Sequence, residues 1–285
     1  MRFAFIAAEK ASFTVVALCR VLDVSESGFY AWQKRETSAH DRKDLRLQVL
    51  IKTFFEKSRR TYGSPRLHRD LVEAGERVGR NRVIRIMQKE GLRARPRKRF
   101  RCTTMSDHPH PVAKNKLARD FEADAPNRRW VGDTTELRTT TGARFYLAAI
   151  IDLYARAVVG WAVSAINDRH LALGALTMAL QHRRPRPGLL HHSDRGSPYA
   201  SEGYRRVLAT NGITCSMSRS GNCLDNAAME SWFSTLKFEL GDTFESIEQA
   251  KSRLFDYIEL FYNRQRRHSA IDYATPMEYE QRQAA

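Results

Sequence analysis

A chain of 285 residues, 42% of them hydrophobic and 10% aromatic, can bury a sizeable core divided over two or three domains. It has no run of about 18 apolar residues, which excludes a transmembrane helix, and Glu9 and Lys10 break the N-terminal apolar stretch that a signal peptide requires. Cys19, Cys102, Cys215 and Cys223 are scattered, which argues against a disulfide framework or zinc finger and suits a reducing cytoplasm.

The net charge of +16 is uneven: residues 1–126 hold 28 Lys/Arg against 15 Asp/Glu, and residues 127–285 hold 20 against 17. A basic front half joined to a near-neutral back half points to a polyanion-binding module attached to something else. Nucleic acid fits better than an anionic membrane, because no basic helix with an exposed apolar face is evident.

Within residues 1–40, TVVALCRVLDVSESGFYAWQK predicts two short helices around a turn. Val15, Leu18, Cys19 and Leu22 face inward, Ser25 caps the second helix, and Phe29, Tyr30 and Trp32 anchor it. This is helix-turn-helix spacing, with Ser25, Glu26 and Ser27 toward a major groove. Residues 41–101 predict a second such unit. Its core stripe is Leu45, Val49, Ile51, Phe54 and Phe55, its turn is marked by Gly63 and Pro65, and a last helix turns Val83, Ile84, Met87 and Leu92 inward. Arg66, Arg80, Arg82 and Arg85 are candidate phosphate contacts. The basic run RARPRKRFR, with Arg95, Arg97, Lys98 and Arg99, reads as a strap that gains energy by displacing counterions from a nucleic-acid backbone.

Residues 102–127, with three prolines and little apolar content, read as a linker. Its His108 and His110 lack a second pair of metal ligands at suitable spacing. From Arg128 the period changes. WVGDTTEL and YLAAIIDLYARAVVGWAVS predict three antiparallel strands, followed by helix 167–182, a short strand ending at Asp194, a helix, the strand ITCSMS and closing helices. The result is a mixed α/β domain over 128–245, with residues 246–285 forming a long amphipathic helix and tail. One stretch stands out. In Asp225–Leu240, Met229, Trp232, Phe233, Leu236 and Leu240 line one helical face, and Asp225 or Asn226 is placed to cap it. Glu230 and Lys237 sit at its edge, about 10 Å apart along the axis. The polar, Gly-containing loop SRSGNCLDN before it predicts a helix start that is mobile without DNA.

Asp133 lies in the first strand, and Asp194 ends the fourth where Gly196 and Pro198 force a turn. Glu230 follows Asp194 after thirty-five intervening residues. If the first and fourth strands are neighbours, both aspartates project at one end of the sheet and the helix brings Glu230 alongside. Three clustered carboxylates repel one another unless a cation neutralises them. Hard oxygen donors suit Mg²⁺ or Mn²⁺, and two such ions serve in-line phosphoryl displacement. His191, His192, Ser193 and Ser197 flank the position, but no G-x-S-x-G elbow accompanies them. Asp152 is explained by its strand-turn.

The motifs FYAWQKR, YGSPRLHRDL, NRVIRIMQKEGL, WVGDTTEL, YLAAIIDLYARAVVGWAVS, HHSDRGSPYAS, SRSGNCLDNAAMESWFSTLKFE and YNRQRRHSAIDYATPMEY are spread along nearly the whole chain. Together they resemble bacterial insertion-sequence transposases of the second-reading-frame type, whose core is retroviral-integrase-like. The resemblance implies an RNase H-like core with Asp133, Asp194 and Glu230 as metal-binding triad, two divalent ions, and Lys237 as a DNA contact. It implies cleavage and strand transfer on DNA, with element terminal repeats and target DNA as partners, a homo-oligomer on DNA, and an upstream-frame protein or frameshift fusion. Tyr262, Asn263, Arg266 and His268 match the family's tail, as either a structural clamp or a DNA contact. A DNA-binding regulator with an inactive core and an RNase H-like nuclease are the alternatives.

Overall fold

A computed structural model describes residues 2–35, 38–95, 111–220 and 222–284. Arg97, Lys98, Arg99, His108 and His110 lie outside the described residues.

Helices α1 (Arg2–Glu9), α2 (Val15–Val21) and α3 (Glu26–Gln33) close around Ile6, Leu18, Cys19 and Phe29. Ser25 caps α3 as expected, its hydroxyl accepting the Gly28 N–H. Tyr30, expected to anchor α3, is exposed, and Phe3 of α1 packs on Phe29 and Trp32 in its stead. Helices α4 (Ala39–Lys57), α5 (Ser64–Glu73) and α6 (Arg80–Lys89) bury Leu47, Ile51, Phe55, Leu67, Leu71, Val83, Ile86 and Met87. The expected stripe is corrected here. Leu45 and Val49 are exposed and Leu47 takes the inward position, because α5 and α6 choose which side of α4 is covered.

The back half is a mixed sheet of β1 (Arg129–Thr139), β2 (Arg144–Asp152), β3 (Val158–Ser164), β4 (Leu190–Ser193) and β5 (Thr214–Met217), in the order β3-β2-β1-β4-β5, with a two-residue β6 (Thr243–Phe244) beside β1. The first three strands pair antiparallel; β4 and β5 join parallel through helical crossovers. Helices cover both faces, so LAAII at 147–151 is apolar throughout. Leu147, Ala149 and Ile151 face one core, under α10 (Ala227–Glu239), α11 (Ile247–Phe255) and a π-helical turn (Asp256–Tyr262). Ala148 and Ile150 face the other, under α7 (Arg169–Arg183), α8 (Ser197–Ala200) and α9 (Glu202–Thr210). At Gly160, a Cβ would lie 2.2 Å from the Ala175 carbonyl, so only glycine lets α7 come this close to β3.

Two further differences bear on the tail. The long final helix is interrupted by the π-helical turn, which faces Tyr257, Ile258, Phe261 and Tyr262 into the core. After a 3-10 turn (Ser269–Ile271), α12 (Pro276–Ala284) lies against the end of α7, where Glu280 pairs with Arg183 at 2.7 Å. Arg267 ties the tail to α5 by pairing with both Asp70 and Glu73, while its backbone N–H donates to the Tyr62 hydroxyl at 2.7 Å. Asn263 bonds the N–H and carbonyl of Val158 at 3.0 and 2.9 Å. These tail residues act as a clamp.

Candidate active site

The β1–β4 ladder sets the position of two acids. Its last register pair is Gly132 with Ser193, so Asp133 and Asp194 are the next residues on neighbouring parallel strands, which run about 4.8 Å apart. Backbone donors orient both: the Thr134 N–H donates to Asp133 Oδ1 at 2.7 Å, and the Gly196 N–H to Asp194 Oδ1 at 2.9 Å. The Thr134 hydroxyl in turn meets the Tyr199 hydroxyl at 3.1 Å, which ties the strand to α8. Gly132 is required at this level, since a Cβ there would lie 2.9 Å from the His191 ring.

Glu230 comes from the first turn of α10, whose buried Met229, Trp232, Phe233 and Leu236 dock that helix on the core that includes Val131 of β1. Burial, then the charge of Asp194, and then that of Glu230 push the Asp133 carboxyl well above its usual range, against the Thr134 N–H. The three carboxylates therefore share one electrostatic neighbourhood. Among the described residues, no three His, Cys, Asp or Glu side chains are drawn tightly enough around one point to enclose an ion. The donor set is the hard-oxygen kind that suits Mg²⁺ or Mn²⁺, and its mutual repulsion is what a cation relieves.

The start of α10 is pinned. Neither Asp225 nor Asn226 caps the helix through its side chain. Asp225 is fully covered within a 3-10 turn (Cys223–Asn226) and accepts from Arg219 Nε and Nη2 at 2.9 and 2.8 Å, Arg119 Nε at 3.0 Å and Asn115 Nδ2 at 2.9 Å. Two of these partners, Asn115 and Arg119, stand more than a hundred positions upstream. The Arg219 hydrogen bonds, with help from Arg119, hold the Asp225 carboxyl well below its usual range. An unfolded chain therefore takes up this proton first as pH falls. The stabilisation is complete above the ordinary aspartate value of about 3.9, and drains away as pH drops toward the folded value. We expect Asp225→Asn to lower the urea midpoint at pH 7 and to flatten its decline between about pH 4 and pH 3. Parallel wild-type and variant curves would refute this.

Asn226, read from the sequence as a candidate helix cap, reaches the first strand instead. Its amide donates to the Gly132 carbonyl at 3.4 Å, next to Asp133, and its buried Oδ1 has no partner. The flanking histidines are structural. His191 meets the Tyr204 hydroxyl at 2.7 Å, and His192 bridges the Ser216 and Ser218 hydroxyls at 2.8 and 3.1 Å. Burial lowers their pKa values to about 3 and about 4, so both are neutral sheet-packing groups. Asp152 is fully covered and accepts from the Asn127 and Tyr154 backbone and from Arg183.

The basic residues divide. Ser27 and Arg80 are exposed. Arg82 and Arg85 both pair with Asp44 at 2.7 Å, so their guanidinium groups brace α6 against α4. Arg95 donates to the Arg59 carbonyl at 2.8 Å and lies over the Phe238 ring of α10. Arg66 lies over the Tyr62 ring. Lys237 is half-buried at the far end of α10, where burial lowers its pKa against the opposing pull of Asp242 and Glu136.

Integrase core domain models match residues 123–223 and 211–276, and an HTH-like domain model matches residues 41–100. Over 267 residues, 93% of this chain and 98% of the relative, the sequence is 43% identical to the 31 kDa protein of insertion element IS600 of Shigella sonnei. Over the full length of both, it is 39% identical to transposase InsF for insertion sequence IS3A of Escherichia coli strain K12. Among solved structures, the HTLV-2 integrase catalytic core domain in complex with magnesium aligns at 15% identity and a TM-score of 0.39, over 55% of this chain and 99% of that one.

Proposed function

The chain belongs to the IS3-type insertion-element transposases with an integrase core and an HTH-like domain, and we propose that it cleaves DNA at the element ends and joins them to target DNA. In the first step water opens a phosphodiester and leaves a 3′-OH at the element end. In the second, that hydroxyl displaces a 3′-oxygen from a target phosphodiester, so one P–O bond forms as another breaks. The observation that carries the reading is the β1–β4 register with Asp133 and Asp194 side by side, within electrostatic range of Glu230.

Asp133, Asp194 and Glu230 would hold divalent ions, Mg²⁺ or Mn²⁺, which when bound activate the attacking oxygen and stabilise the leaving one. The chain's part is positional. The Thr134 and Gly196 N–H groups fix the two aspartates, the apolar face of α10 seats Glu230, and the basic front half holds the DNA. Lys237, Ser27 and Arg80 are proposed DNA contacts, and two copies on paired element ends form the working unit.

The test is a duplex carrying the terminal repeats that flank the gene, incubated with the full chain, Mg²⁺ and a target plasmid. Joined products are expected. Cleavage that never yields joining would make the protein a nuclease, and binding without cleavage would make it a regulator.

A further inference from the structure

A second site lies beside α10, where that helix, the end of β2, α5 and the tail meet. A cavity of about 400 Å³ is walled by four parts of the chain: Arg66 of α5, Arg156 of the β2–β3 turn, Ser231 and Trp232 of α10, and Arg266 and His268 of the tail. Its mouth is the exposed Ser231 and the 3-10 turn of the tail, while Trp232, Arg266 and His268 form a buried floor. The lining residues among those described include three guanidinium groups and no carboxylate. The Trp232 indole N–H is buried without an acceptor, although Trp232 is only 3% exposed. A buried donor left unmatched is costly unless something accepts from it. Arg266 Nη1 lies 3.3 Å from His268. Burial, then Arg266, Arg66 and Arg156, drive the His268 pKa well down, so the ring stays neutral with three cations around it.

A concave site with the Arg66 and Arg156 guanidiniums, a third on Arg266 whose Nε is already paired with Glu239, a hydroxyl at its rim and an indole N–H at its base offers an oxyanion several hydrogen bonds at once. We propose that this cavity holds one backbone phosphate of the bound DNA strand, clamped between the HTH-like unit and the helix that carries Glu230. The inference rests on the reading that the chain works on DNA. Its volume exceeds that of a phosphate alone and leaves room for the adjoining sugar. Because Ser231 follows Glu230 directly, a phosphate seated there couples engagement of the front half to the setting of α10. The tail residues then serve the clamp and the ligand together.

The experiment measures affinity of the full chain for a 30-base-pair duplex as a function of salt, in chelator, so that no chemistry intervenes. Each phosphate neutralised contributes about 0.9 to the slope of log K against log salt. Arg66→Gln and Arg156→Gln should each make the slope shallower by about 0.9, and the double variant should lose that same single increment. Lysine at either position should restore most of it. A double variant losing twice the increment would mean two separate surface phosphates and would overturn the proposal, as would unchanged slopes. If glutamine variants misfold, the wild-type chain still decides. Inorganic phosphate should compete with DNA and raise the melting temperature of wild type but not of Trp232→Phe. Phosphate that stabilises the chain without competing with DNA would assign the cavity to free phosphate and overturn the DNA assignment. A chain that binds DNA with unchanged variant slopes rejects this inference alone, whereas a chain that does not bind DNA rejects the proposed function.

Discussion

Asp133→Asn, Asp194→Asn and Glu230→Gln are each expected to reduce strand cleavage and joining by about a thousandfold or more, while DNA affinity changes little. The magnitude follows from what each change removes. An amide keeps the shape of the carboxylate but contributes no negative charge, so the donor set no longer balances two divalent ions. Asp133 and Asp194 stand side by side just past the last β1–β4 register pair, Gly132 with Ser193. Binding is spared because most of the chain's net positive charge lies in residues 1–101. The isosteric changes also relieve repulsion. Burial and the neighbouring carboxylates already disfavour ionised Asp133, so Asp133→Asn should melt at the same temperature as wild type or higher. A variant that is inactive and also much less stable would point to a structural acid. Wild-type joining by any of the three would remove that residue from the triad.

The sheet was legible because its signals are local. WVGDTTEL and YLAAIID carry their strand character in β-branched and aromatic residues, and Gly196 with Pro198 announces the turn that leaves Asp194 at a strand tip. The face of α10 was legible for the same reason, as Met229, Trp232, Phe233 and Leu236 recur at helical spacing and all are buried. What escaped was decided by partners distant in sequence. Asp225 looks like a helix cap until Arg119 arrives from 106 residues away. Leu45 and Leu47 are equally apolar, and only the packing of α5 and α6 decides between them. The π-helical turn at 256–262 leaves no composition signal, because the same residues would suit an α-helix. Arg82 and Arg85 look like phosphate contacts in a basic run, yet Asp44 claims both.

The buried pair of Glu239 and Arg266 carries the largest expected loss of stability. The two side chains are 1% and 4% exposed and meet at 2.8 Å, joining the end of α10 to the tail. Burial lowers the Arg266 pKa, and Glu239 more than reverses this, leaving it raised. Tyr257 donates to the same carboxylate at 2.7 Å. Removing one partner strands a charge away from water. Glu239→Leu is therefore expected to cost about 3–5 kcal/mol, which for a chain of this size lowers the melting temperature by about 10 °C. Glu239→Leu with Arg266→Met replaces both charges by apolar groups and should recover most of that loss, since the cost lies in the unpaired charge. Glu230 lies two and a half turns before Glu239 on the same helix, so the single variant should also speed amide exchange through α10, and the double variant should slow it again. If the double variant melts no higher than the single, the hydrogen bond itself, with its Tyr257 branch, holds the helix end in place. The tail would then be required chemically, and apolar packing alone would not fasten α10.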